Sequence, residues 1–121
     1  MRIFHLLALL FSALPAWADD CGFDALNRGD YAAALKPVTE CAKQGDEFAQ
    51  FNLALMYYQG QGVPQNYVLA HMWRNLAASN GETQTSVKGR DALASMMTPA
   101  QIAEAQALAK RCLSSDYKDC G

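Results

Sequence analysis

The chain has 121 residues, of which 51% are hydrophobic and 18% charged, and its formal net charge at pH 7 is −2. That length suits one domain with a modest core. The slightly acidic balance carries no basic stripe, which excludes the usual electrostatic footprint of a nucleic-acid binder.

In chain order, the first segment is not read as part of the fold. Met1-Arg2 supplies a positive charge, Ile3 to Leu14 is an apolar run broken only by His5 and Ser12, and Pro15-Ala16-Trp17-Ala18 places small residues at both positions of an A-x-A cleavage site. This predicts a signal peptide over residues 1–18, cleaved after Ala18. A membrane span needs about 20 apolar residues, so the run is too short to anchor the mature chain. Asp19 and Asp20 precede Cys21 where a lipid-attachment motif needs small or apolar residues. A periplasmic or secreted domain over 19–121 is expected, and loss of Arg2 takes its charge to about −3.

Three helical hairpins are expected at about 21–45, 46–81 and 82–113, with a tail over 114–121. The first runs from about Cys21 to Arg28, turns at Gly29-Asp30 and returns from Tyr31 to about Gln44, with Asp30 as N-cap. Pro37 falls inside its second helix, where a lost hydrogen bond costs ~3 kcal/mol, so a kink is expected. In the second hairpin Asp46 caps a helix to about Gln59. The loop Gly60-Gln61-Gly62-Val63-Pro64-Gln65 ends it, and Asn66 caps a helix ending at Asn80-Gly81. Ala49, Leu53 and Tyr57 step by fours along the first helix, and Ala70, Trp73 and Ala77 mark the inner face of the second. In the third hairpin, about Thr83 to Met97 and Pro99 to Leu113, Thr98-Pro99-Ala100-Gln101 reads as a capping box. Ile102, Ala105, Ala109 and Cys112 form its inward stripe.

Asp30-Tyr31 with Ala34, Ala42 and Gly45-Asp46 returns thirty-six positions later as Asn66-Tyr67 with Ala70, Ala78 and Gly81-Glu82. A gapless period of this length marks stacked helical hairpins. It also constrains the cysteines. Cys21, Cys41, Cys112 and Cys120 all follow the leader, where thiols oxidise, and one histidine besides His5 is too few for a mixed zinc site. Three pairings are open. Cys41 and Cys112 occupy equivalent repeat positions two hairpins apart, and helices spaced 8–10 Å per layer put them beyond the ~7 Å reach of a disulfide. Reach therefore favours Cys21 with Cys41 across the first hairpin and Cys112 with Cys120 through a tail turning back at Ser114-Ser115-Asp116.

The stretch from Ala49 to Tyr67, with Gly60, Gly62 and Pro64 in its loop, followed by Ala70, Trp73, Ala77-Ala78 and Gly81, resembles a Sel1-like repeat, a relative of the tetratricopeptide repeat. Ala54 stands where that pattern usually has glycine, and Asn66 where it has aspartate. The likeness is strong over about 46–82 and weaker elsewhere, and the third pair resembles the closing hairpin of some exported bacterial members. The resemblance implies a right-handed α-solenoid that binds proteins or peptides as a regulatory adaptor, with no common reaction. Some cysteine-rich relatives have been linked to cell-wall or β-lactam hydrolysis, but Ser86-Val87-Lys88 is one residue short of the Ser-x-x-Lys spacing such enzymes use. A purely structural spacer is a further alternative.

No catalytic residue, cofactor or metal ligand is assigned. Gly60-Gln61-Gly62 follows a helix and lacks the third glycine of a dinucleotide loop. His71, with no second histidine beside it, reads as a surface or helix-packing residue rather than a base or ligand. Met56, Met72, Met96 and Met97 read as core packing rather than a copper site. If Leu53 and Tyr57 face the partner helix, then Phe48, Phe51, Leu55 and Tyr58 turn toward the inner curve, with Asn52 and Gln59 at its edges. These six residues are the expected partner-binding stripe, unless neighbouring helices or the tail cover them.

Overall fold

The computed structural model describes residues 20–80 and 84–121. The expected leader, and Gly81 of the repeat pattern, lie outside the described residues. Among the described residues six helices follow one another: α1 (Phe23–Asn27), α2 (Tyr31–Lys43), α3 (Glu47–Gln59), α4 (Tyr67–Asn80), α5 (Gln84–Ala94) and α6 (Pro99–Ser114). Among the described residues there is no strand. The architecture is a short, all-α, disulfide-stapled solenoid.

Four helices begin in the same way. The Asp30 carboxylate accepts from the Ala33 N–H at 3.2 Å, and Asp46 from that of Ala49 at 2.7 Å. The Asn66 side chain accepts from the Leu69 N–H at 3.0 Å, and the Thr98 hydroxyl accepts from the Gln101 N–H at 3.1 Å while the Gln101 Oε1 accepts from the Thr98 N–H at 3.0 Å. Each cap satisfies a backbone donor left without a partner inside its helix. Asp30 and Asn66 thus punctuate the two repeats by one mechanism.

α1 is shorter than its hydrophobic pattern suggests, because Cys21 and Gly22 have positive φ, 53° and 76°, and cannot extend a right-handed helix. α5 also stops early: Met96 and Met97 donate to Leu93 and Ala94 in i→i−3 turns, which close the helix ahead of Thr98. Pro37 is buried inside α2, which runs unbroken from Tyr31 to Lys43.

α3 and α4 pack along their lengths as the central hairpin, and α2 covers a second side of α3. That double covering explains why α3 buries Ala49, Leu53 and Met56 and also Gln50 and Ala54. Gln50 is admitted because its amide donates to the Ala42 carbonyl at 3.0 Å; left unpaired there, it would cost about 1–3 kcal/mol. α6 lays its main contact on α4, carrying Ala109 and Cys112 into the large core with Val38, Leu53, Met72 and Leu76. A smaller core joins Ala70, Leu93, Met97 and Ala105, and Tyr57 packs against both. Small residues at the crossings, Ala70, Ala77 and Ala105 among them, let the helices approach this closely.

Two disulfides close the ends, in the pairing favoured by reach. Cys21 and Cys41 bond with their Cα atoms 5.6 Å apart, tying α1 to α2, and Cys112 and Cys120 bond across 4.4 Å, tying the tail to α6. The tail reverses through consecutive left-handed residues, Asp116 and Tyr117. The Tyr117 N–H donates to the Cys112 carbonyl at 2.8 Å, and Asp119 pairs with Arg111 at 3.0 Å. The Tyr117 ring lies over Gly45, and Gly121 comes up to Leu69 and Met72. These contacts seat the tail on the α2–α3 turn and on α4.

Candidate functional site

α3 carries all six stripe residues, and the structure divides them between two flanks. Phe48, Asn52, Leu55 and Gln59 look toward α1, with which they line two adjoining hollows of about 200 Å³ and 250 Å³. Phe51 and Tyr58 look the other way. The Arg74 guanidinium stands 5.1 Å over the Phe51 ring, and Tyr58 stacks on Tyr67 at 5.7 Å with its hydroxyl 3.9 Å from the Met96 sulfur. Tyr58, Arg74, Gly89, Leu93 and Met96 enclose a hollow of about 150 Å³ between α3, α4 and α5. An α-helix turns by about 100° per residue, so positions 48, 52, 55 and 59 share one side and 51 and 58 the next.

Exposure differs along these flanks. Phe48 is 59% exposed and its neighbour Phe23 46%, with ring centroids 5.9 Å apart. Phe51, Asn52, Leu55 and Tyr58 are half-buried, while Gln59 is exposed at the helix end. The Asn52 amide donates to the Phe48 carbonyl at 3.0 Å. Phe23 was not singled out in the sequence, although its spacing from Ala25 and Leu26 on a short helix offered a signal. Arg74 was missed as well, since a lone cation in a repeat gives no local hint of an aromatic partner.

The loop that ends α3 is held on the first hairpin. Gly60 closes the helix in the left-handed conformation, and Gly62, at φ 74°, lies against the backbone of Tyr31. Pro64 is exposed. Ala49, Leu53, Ala70, Trp73 and Ala77 are all buried.

His71 is buried in the helix packing, 2% exposed, where its Nδ1 accepts a hydrogen bond from the Asn75 amide at 3.0 Å. That places the remaining ring proton on Nε2 in the neutral form. Burial, joined by the charges of Arg90 and Arg74, holds the imidazole below its ordinary pKa, with Asp91 opposing. Burial likewise raises the Tyr57 hydroxyl. Met56, Met72 and Met97 are core residues, but Met96 is 46% exposed and corrects the expectation that all four are core. It follows the end of α5, where the turn points its side chain outward beside Tyr58. Among the described residues no three His, Cys, Asp or Glu side chains come together as a metal site.

A Ser-x-x-Lys spacing does occur, at Ser115-Asp116-Tyr117-Lys118, which corrects the reading that the chain only approaches that pattern, at Ser86. It lies in the tail turn. The Ser115 hydroxyl donates to the Cys112 carbonyl at 3.0 Å and accepts from the Asp119 N–H at 2.9 Å, so it serves the turn.

Paired helices with shared caps and small-residue crossings define a helical-repeat scaffold. Within that class the Sel1 repeat family model matches residues 48–82, so the central hairpin is a Sel1 repeat. No curated protein and no solved structure matches the chain. Sel1 repeats are in general protein–protein interaction modules without catalytic function. Two disulfides fit an oxidising environment, and among the described residues no helix is long and apolar enough to cross a membrane.

Proposed function

We propose that this chain is a non-catalytic, protein- or peptide-binding adaptor of the cell envelope, exported by residues 1–18 and released after Ala18. Its contact surface is the α3 stripe, comprising Phe48, Phe51, Asn52, Leu55, Tyr58 and Gln59. One observation carries the reading: Phe48, on the repeat that matches the family, leaves 59% of its surface in water next to Phe23, which is also exposed. Exposed aromatic pairs of this kind commonly mark interaction sites. The apolar leader and the four oxidised cysteines support export. No cofactor or metal is required by this reading.

The test is crosslinking in the intact envelope, with a photoreactive residue at position 48 and a control at position 104, followed by mass spectrometry. A partner captured from 48 and absent from 104 is the expected result. Its yield should fall when Phe51 and Tyr58 are replaced by alanine. Identical capture from both positions would remove the proposed surface.

A further inference from the structure

We infer that the groove between α1 and α3 receives a peptide segment with a lysine or arginine at one end and apolar side chains beyond it. The inference rests on the adaptor reading above and names the chemistry of the partner. The groove consists of the two hollows that share Phe23 and Asn52. At about 200 Å³ and 250 Å³, each is smaller than the ~300–1,000 Å³ of a typical small-molecule pocket. Each suits one or two side chains of a chain lying across both.

The two ends differ in charge. Asp20 and Asp46 stand at the end that contains Phe23 and Phe48, whereas the other end is lined by amides, Asn27, Asn52, Gln59 and Gln61, around Leu26 and Leu55. The carboxylates accept from backbone: Asp20 from Gly22 and Asp24, and Asp46 from Ala49. These bonds fix their positions and leave their charge in place. Among the described residues no lysine or arginine lines either hollow, and the sequence has none between Lys43 and Arg74. Arg28, at the end of α1, pairs with Asp24. The positive end of the α3 dipole is worth about half a charge, which Asp46 meets, and Asp20 and the exposed Glu47 remain in excess.

A ligand entering here therefore meets the carboxylates of Asp20 and Asp46 at one end, next to two aromatic faces. A cation gains from the carboxylates and from the rings together, and an anion is repelled at the same place. The neutral end offers amides to a peptide backbone and apolar surface to its side chains. α3 is about 20 Å long, which spans roughly six extended residues.

The test uses the disulfide-bonded protein and three fluorescein-labelled synthetic peptides. One has two lysines followed by alternating leucine and alanine, one has glutamates for the lysines, and one has serines for the leucines. Anisotropy titration should give binding of the first, with the second and third weaker by about tenfold or more. Binding of the first should weaken as salt rises. The double variant Asp20→Asn, Asp46→Asn keeps an N-cap-competent side chain at 46, and should weaken the lysine peptide about fivefold while leaving the circular dichroism unchanged. Phe48→Ser, which changes an exposed residue, should weaken it about tenfold.

Equal affinity for lysine and glutamate peptides, insensitivity to the aspartate variant, or no binding of any peptide would overturn the inference. So would concentration-dependent self-association abolished by Phe48→Ser, which assigns the face to a second copy of the chain. If crosslinking from position 48 still captures an envelope protein while the lysine peptide fails, the adaptor reading stands and only the partner chemistry falls.

Discussion

Gly62→Ala probes how the central hairpin is seated on the first. Gly62 has φ 74°, and a Cβ there would stand 2.7 Å from the Tyr31 carbonyl oxygen and 3.0 Å from its carbon. The left-handed conformation alone costs an alanine about 1–2 kcal/mol. The clash is with backbone at the start of α2, so relief requires shifting the loop or the helix end, at about 1–3 kcal/mol. Reduced freedom of the unfolded chain returns about 0.4–1 kcal/mol. The net loss is about 1–5 kcal/mol. Gly29 supplies the control: its φ is 72°, with nothing within 4 Å of a built Cβ, so Gly29→Ala carries the conformational cost alone, about 1 kcal/mol net. Both variants are unfolded thermally with disulfides intact and followed by far-ultraviolet circular dichroism. Each kcal/mol shifts the midpoint by about 4–8 °C in a domain of about 100 residues, so Gly62→Ala should melt about 5–20 °C below Gly29→Ala. Equal midpoints would refute the argument that the loop bears on the Tyr31 carbonyl.

Two further outcomes follow from the staples and from the buried histidine. Replacing Cys21 and Cys41 by alanine, a bond with sequence separation 20, should lower stability by about 3 kcal/mol on the chain-entropy account. Replacing Cys112 and Cys120, separation 8, should lower it by about 2.5 kcal/mol. Urea titration checks both, and no loss for the first pair would show that α1 is held by packing alone. His71 has a folded pKa below its unfolded value of about 6.5. Its contribution is therefore complete above pH ~6.5 and is lost as pH falls through the folded value. Between pH 7.5 and 5, urea midpoints should fall more for the native chain than for His71→Gln; parallel curves would sink this assignment.

Much of the candidate site was legible because it sits on one helix whose caps and loop are local. Asp46 and Gly60 bound α3 through bonds spanning a few residues, so the face carrying Phe48, Asn52, Leu55 and Gln59 could be read from register. What lay beyond was the company each side chain keeps. Phe51 and Tyr58 were read into the same stripe, but Arg74, Tyr67 and Met96 draw them into a separate hollow. Phe23 became part of the site only when α1 was laid beside α3, and Ser115-Asp116-Tyr117-Lys118 became a tail turn only when the chain reversed there.

By itself, the chain of residues determined where helices start, where the central loop interrupts them and which cysteines were within reach. These depend on side chains bonding backbone three positions away and on the length of chain between thiols. Only the tertiary structure decided that α6 lays its main contact on α4, that the tail seats Tyr117 on Gly45 and that His71 is shut away from water. Each of those turns on which surfaces meet across many residues, where volume and charge are matched between partners that no local pattern names.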